Sequence, residues 1–391
     1  MQIRRCAVLW LEPRETASFE LESLLTGGTG VVSAMQWFAH APQLSTPMVV
    51  DGDDVALLGA LGPSDWIQAA PLRERYGAGR VRALLHAGLL VGRGKAWAEQ
   101  RDADQQFRDQ HWHGLAAQWH SASRWHGLDA AREVADEGMD TAAGLRGRYG
   151  APPPEFCPRV EPAQRLTLPA PAPTAFDELL DGRSTCRNFD TAATLPHDVL
   201  ATMLARVFAA RGRIHAADDF EVLKKTSPSG GALHPTEAYL IVQRVDGVAP
   251  GLYHYHAGEH ALEPLPSPDD LRAFARLAVA GQYWFADASV LVVLAPRFAR
   301  NFWKYRNHAK AYRTVILDVG HLSQTLYLSA TDLGLGAFIT AAINEVDIEQ
   351  AFGLTGYVDG PLAVCGFGVR ADTMVTAEFD PNRKVWPRKP D

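Results

Sequence analysis

Cysteine is scarce in this chain. Its 391 residues hold four, and Cys6, Cys157, Cys186 and Cys365 lie far apart with no C-x-x-C pair. That spacing argues against a disulfide framework and against a thiolate metal site, and it suits a reducing, cytoplasmic compartment. Positive charge is not in excess: 38 Lys and Arg face 45 Asp and Glu, a net charge of -7. A chain with that balance has no global attraction to nucleic acid. No apolar run approaches the roughly 20 residues of a membrane-spanning helix, so no membrane segment is expected. The apolar run Cys6 to Leu11 stops at Glu12 and Pro13. It is too short for a secretory h-region and reads as a strand. No long internal repeat is present.

Proline, by contrast, is concentrated. Between Ala151 and Pro173 stand Pro152, Pro153, Pro154, Pro158, Pro162, Pro169, Pro171 and Pro173. Proline fixes φ and removes a donor, so this stretch is neither helix nor central strand. It reads as a linker over 151–174, between an N-terminal domain over 1–150 and a second domain over 175–391. Two domains also suit the length.

In the N-terminal part, Met48-Val49-Val50 reads as a strand. Ser64 or Asp65 can cap a helix running through Tyr76. Gly77 and Gly79 break it, and Val81, Leu84 and Leu85 mark a second helix that ends at Gly88. Leu89-Leu90-Val91 then begins a strand before the turn Gly92-Arg93-Gly94. Helix, turn, helix and β wing is winged-helix order. Arg73, Arg75, Arg80 and Arg82 flank the turn, but Asp51, Asp53 and Asp54 stand nearby. A peptide-docking or structural module therefore fits better than a DNA-binding one. Trp112-His113, Trp119-His120 and Trp125-His126 lack the i, i+4 histidine pair of a helical metal site. Trp112 and Trp119, seven apart, read as one packed helix face. No metal centre is expected.

The chemistry-bearing segments lie downstream. Arg183, Thr185 and Arg187 are two residues apart in Gly-Arg-Ser-Thr-Cys-Arg-Asn-Phe. In an extended chain they face one side and offer two guanidinium groups and a hydroxyl to a phosphate. The alternative is a pair of surface arginines. Ser229-Gly230-Gly231, within Ser-Pro-Ser-Gly-Gly-Ala-Leu-His-Pro, can let a ligand approach the backbone, or can simply be a turn. Apolar positions from Ala311 to Leu333 recur with helical period. Gly334-Leu335-Gly336 follows, then Ala337-Phe338. Pro361 to Cys365 reads as a buried strand opening into Gly366-Phe367-Gly368.

In this order these segments resemble the FMN-dependent nitroreductase superfamily, and within it the SagB-type dehydrogenases of ribosomal peptide maturation. Gly251-Leu252-Tyr253-His254-Tyr255, Trp303-Lys304-Tyr305-Arg306 and Asp318-Val319-Gly320-His321 add to the resemblance, which covers about residues 175–391. It implies an α+β fold, a mainly antiparallel sheet covered by helices, preceded here by the small winged-helix-like domain. It implies FMN as cofactor. Arg183, Thr185 and Arg187 would hold the phosphate and ribityl chain. Ser229, Gly230 and Gly231 would follow the ring edge, and Ala337 and Phe338 would lie against the ring. Arg383, or Lys384, would add a basic contact. Lys304 and Tyr305 would be the catalytic pair, the lysine as base for a Cα proton.

The implied activity is oxidation of azoline to azole in a precursor peptide, with electrons passing to oxygen. A homodimer and a cyclodehydratase partner are implied as well. Ala232 and His234 stand where simple nitroreductases usually carry Asn and Gln, which argues against nitroarene or quinone reduction. Two alternatives remain: an NAD(P)H-dependent reductase acting on a dehydroamino acid or small electrophile, and a flavin-free docking scaffold.

Overall fold

A computed structural model describes residues 1–386. The chain divides into two units. Met1–Arg124 joins Phe298–Arg313 in the first, and Trp125–Arg297 joins the chain from Thr314 onward in the second. The division thus falls at Arg124 rather than near residue 150, and the first unit takes in a distant segment. The cause is aromatic packing. Trp112, 4% exposed, meets the rings of Phe298, Phe302 and Tyr312 at centroid distances of 4.5, 4.8 and 5.4 Å.

In the first unit β1 (Gln2–Arg5), β2 (Trp10–Phe19), β3 (Val31–His40), β4 (Met48–Val50), β5 (Ile67–Gln68) and β6 (Leu90–Gly92) form two three-stranded sheets. β1 lies between β5 and β6, antiparallel to both. β2 and β3 run antiparallel along their whole length, with β4 beside β3. Helices Gly52–Gly59, Ala69–Tyr76 and Ala78–His86 bury Leu57, Leu58, Val81, Leu84 and Leu85 with Ile3 and Leu90.

Helix, turn at Gly77, helix and strand follow in the order read from the sequence. The first helix starts at Ala69, later than Ser64 or Asp65, because Ile67 pairs with Ile3 of β1. Arg80 bonds to Asp51 and Asp54 at 2.5 and 2.7 Å, so the basic and acidic groups flanking the turn meet each other. Trp112 and Trp119 do not share a helix. His111 has φ +59°, a conformation that stops helical continuation, and the next helix is Gly114–Ala122.

The second unit holds the hairpin β7 (Gly212–Ala217) and β8 (Phe220–Lys224), then β9 (Thr236–Val242), β10 (Gly251–His256), β11 (Ala261–Leu265), β12 (Val290–Pro296), β13 (Gly336–Thr340) and β14 (Ala363–Gly368). The last six form one sheet in the order β11-β10-β9-β12-β14-β13, with every pair antiparallel. Helices cover both faces, so the central strands can be apolar throughout. Val290, Val292 and Leu294 of β12 enter one core with Leu204, Leu326 and Phe367. Leu291, Val293 and Ala295 enter the other with Phe285, Phe338 and Ile348. This is the α+β architecture expected.

Residues 151–174 are exposed and hold only the 3-10 turn Pro162–Gln164. Cys157 lies there, exposed, whereas Cys6, Cys186 and Cys365 are buried, and all four are free thiols. Among the described residues no helix is long and apolar enough to cross a membrane.

Candidate functional site

Helix Ala175–Gly182 is capped by reciprocal bonds between Thr174 and Asp177. Beyond it the chain is extended. Ser184, Cys186 and Asn188 are buried while Arg183, Thr185 and Arg187 stay partly exposed, the two-residue alternation of a strand. Cys186 N–H donates to the Ala337 carbonyl at 2.8 Å, and Thr185 bridges Ala337 in parallel. Gly336 permits this docking, since a Cβ there would lie 2.4 Å from Cys186 Sγ. The Arg183 guanidinium sits 5.3 Å from the Tyr327 ring centroid, and that of Arg187 sits 5.9 Å from the Phe285 ring. Thr185 Oγ1 and the Tyr327 hydroxyl are 3.0 Å apart.

Glu378 secures this strand from behind. Its side chain is fully buried. It accepts the Arg187 and Asn188 main-chain N–H groups at 2.6 and 3.0 Å and Asn188 Nδ2 at 2.9 Å. Arg370 and Trp386 Nε1 donate to its other oxygen, each at 2.8 Å. Burial alone would push this carboxyl up, but the Arg187 N–H, Trp386, Arg370 and Asn188 hold it below the usual carboxylate range. A depressed folded value stabilises the fold above the unfolded value, and that stability is lost as pH falls through the folded value. Stability should therefore decline below about pH 4.3. Glu378→Gln should be less stable at neutral pH by about 1–3 kcal/mol, because donors lose their acceptor, and should show a flatter acid limb. Urea melts across pH check this, and equal slopes in both proteins would refute it.

The Ser229–Gly231 turn is held from the long helix Lys310–Asp332. Ser229 Oγ donates to Asp318 at 2.5 Å and Gly230 N–H to the same carboxylate at 3.1 Å. Ser227 Oγ lies 2.7 Å from Thr325 Oγ1. Gly231, Ala232 and His234 have φ of +67°, +55° and +45°. One helix therefore docks both segments, the turn at Asp318 and the arginine strand at Tyr327. The two points lie nine positions apart on the helix, about 13.5 Å of rise.

The remaining expected residues fall as follows. Ala337 and Phe338, adjacent on β13, enter opposite cores. The Phe338 ring is fully buried, stacked on Phe285 at 4.2 Å and edge-on to Phe189. It fills the space left by Gly366, its partner on β14, where a Cβ would lie 2.2 Å from Phe338 Cε1. Alternation along the strand sends these neighbours to opposite faces of the sheet. Arg383 is exposed with φ +52°. Arg370 Nη2 donates to Ser184 Oγ on the arginine strand at 2.7 Å. Lys304 and Tyr305 belong to the first unit, on the turn after helix Phe298–Phe302. Lys304 is exposed, and its Nζ lies 5.5 Å from the Tyr305 ring centroid.

The sheet order, the arginine strand and the glycine turn coincide with a match to the nitroreductase family over residues 180–369. These residues are a nitroreductase-family domain. The Rhizobium leguminosarum bv. trifolii trifolitoxin-processing protein TfxB is 26% identical over 54% of this chain and 58% of its own length. The Escherichia coli microcin B17-processing protein McbC is 25% identical over 37% of this chain and 54% of its own length. Methanocaldococcus jannaschii MJ1384, whose name assigns it provisionally to the nitroreductases, is 32% identical over 34% of this chain and 66% of its own length. The chain thus spans between about half and two thirds of these relatives. Among solved structures, the E. coli microcin synthetase McbBCD complex with truncated pro-MccB17 aligns at TM-score 0.47 and 21% identity, over 66% of this chain and 92% of that one.

Proposed function

We propose that this nitroreductase-family protein is an FMN-dependent dehydrogenase that oxidises azoline rings to azoles in a ribosomally made precursor peptide. The observation that carries the reading is the joint anchoring, on one helix, of the Arg183-Thr185-Arg187 strand and the Ser229–Gly231 turn. FMN fits what these residues offer. Arginines and a hydroxyl suit a phosphate, and glycines admit a flat ring against the backbone. Arg183, Thr185 and Arg187 would hold the phosphate end, with Ser229, Gly230, Gly231 and the Ala337 main chain along the ring. When bound, FMN supplies the two-electron acceptor.

Lys304 takes the Cα proton of the azoline and Tyr305 orients the ring. Lysine serves as a base when something covers it, and the peptide itself would cover the exposed Lys304. The names of TfxB and McbC, which are processing proteins for trifolitoxin and microcin B17, support a peptide substrate. The first unit would dock that peptide, and a cyclodehydratase would supply the azoline.

The test uses the purified full chain and a cyclised peptide. Yellow protein and loss of two hydrogens from the peptide by mass spectrometry are expected. Colourless protein that takes up no FMN would overturn the cofactor, and rapid anaerobic bleaching by NADPH without peptide oxidation would favour a reductase. A homodimer belongs to the same reading. Ile316 and Leu317, 37% and 57% exposed on the long helix, are apolar groups that such an interface would cover. Light scattering should give twice the chain mass, and a monomer with FMN fully bound would refute it.

A further inference from the structure

Asp318 is a buried acid for which the reaction has no use. It is 3% exposed and stands on the long helix facing the Ser229–Gly231 turn. Burial pushes its carboxyl up, opposed by the bonds from Ser229 and Gly230 and by nearby His321. An isolated buried carboxylate is costly, so its partners account for its presence. Those partners form a chain. Ser229 Oγ–H and Gly230 N–H both donate to Asp318. Ser229 Oγ in turn accepts the His234 N–H at 2.9 Å. One carboxylate thus braces the start of the turn directly and its far end through a single hydroxyl.

The segment so braced is strained. Gly231 tolerates a positive φ, but Ala232 and His234 adopt one as well, and side chains with a Cβ resist it. Such conformations persist where the surroundings over-determine them. We propose that Asp318 is a positioning residue that holds the Ser229–His234 turn in its FMN-binding shape, acting through Ser229. This rests on the FMN reading above. On that reading Asp318 would not itself touch the cofactor. It sets the backbone that would.

The test is a double-mutant cycle on the full chain, read as FMN affinity of the apoprotein by flavin fluorescence. Asp318→Ala and Ser229→Ala should each weaken FMN by about 10- to 100-fold, the effect of breaking a hydrogen bond to a charged group. The double variant should lose less than the two single losses combined, because both changes break one chain. Asp318→Asn, close in shape, guards against misfolding and should weaken FMN at least tenfold while the apoprotein keeps its circular dichroism. Additive losses, or unchanged affinity in Asp318→Asn, would overturn the proposal while leaving FMN binding intact. Failure of the unmodified protein to bind FMN would instead overturn the cofactor reading, and this proposal with it.

Discussion

Lys304→Ala should retain FMN and lose peptide oxidation by about 10²–10⁴-fold, the range for removal of a general base. The proposed cofactor contacts all belong to the second unit and Lys304 to the first, so binding and chemistry should separate. The readout is a mass-spectrometric time course for loss of two hydrogens, with flavin content measured in parallel. Tyr305→Phe should cost less if the hydroxyl only orients the ring, and as much if it passes the proton on. Full turnover by Lys304→Ala would make this lysine a surface residue and leave the base unassigned.

A comparable loss, in affinity rather than rate, is expected of Arg183→Ala/Arg187→Ala. Each charge-assisted contact to a phosphate contributes about 1.5–3 kcal/mol. Two acting separately make about 10²–10⁴ in FMN affinity. The fold should tolerate the change. Both side chains are partly exposed, and the strand is held by main-chain bonds to Ala337 and Glu378 that alanine retains. Fluorescence titration with FMN and a thermal melt of the apoprotein separate the two effects. An unchanged affinity would show that the row binds something other than the cofactor.

Local signals made the main elements readable from sequence. The two-residue spacing of Arg183, Thr185 and Arg187 reports an extended chain with one polar side, and the burial alternation matches it. The apolar period from Ala311 marked the long helix, which spans Lys310–Asp332. What stayed hidden depends on distance along the chain. Glu378 meets Asn188 across 190 residues, and nothing near either position announces the other. Asp318 lies 89 residues from Ser229, so the motif around it could be quoted without its purpose. Trp112 lost its expected helix because His111 turns left-handed, a conformation its residue type does not announce.

The distribution of thiols has a practical consequence. Burial raises Cys6 to about 11 and Cys186 to about 12, and it raises Cys365 too. The thiolate is the reactive form, so these three should be slow towards alkylating reagents in the native protein. Cys157 is exposed, in a stretch that carries neither helix nor strand beyond one short turn. A maleimide dye should therefore attach at one position without mutagenesis, far in sequence from every residue assigned to binding or chemistry. Its anisotropy would report, in the unaltered protein, whether the proline-rich stretch tightens when peptide is added.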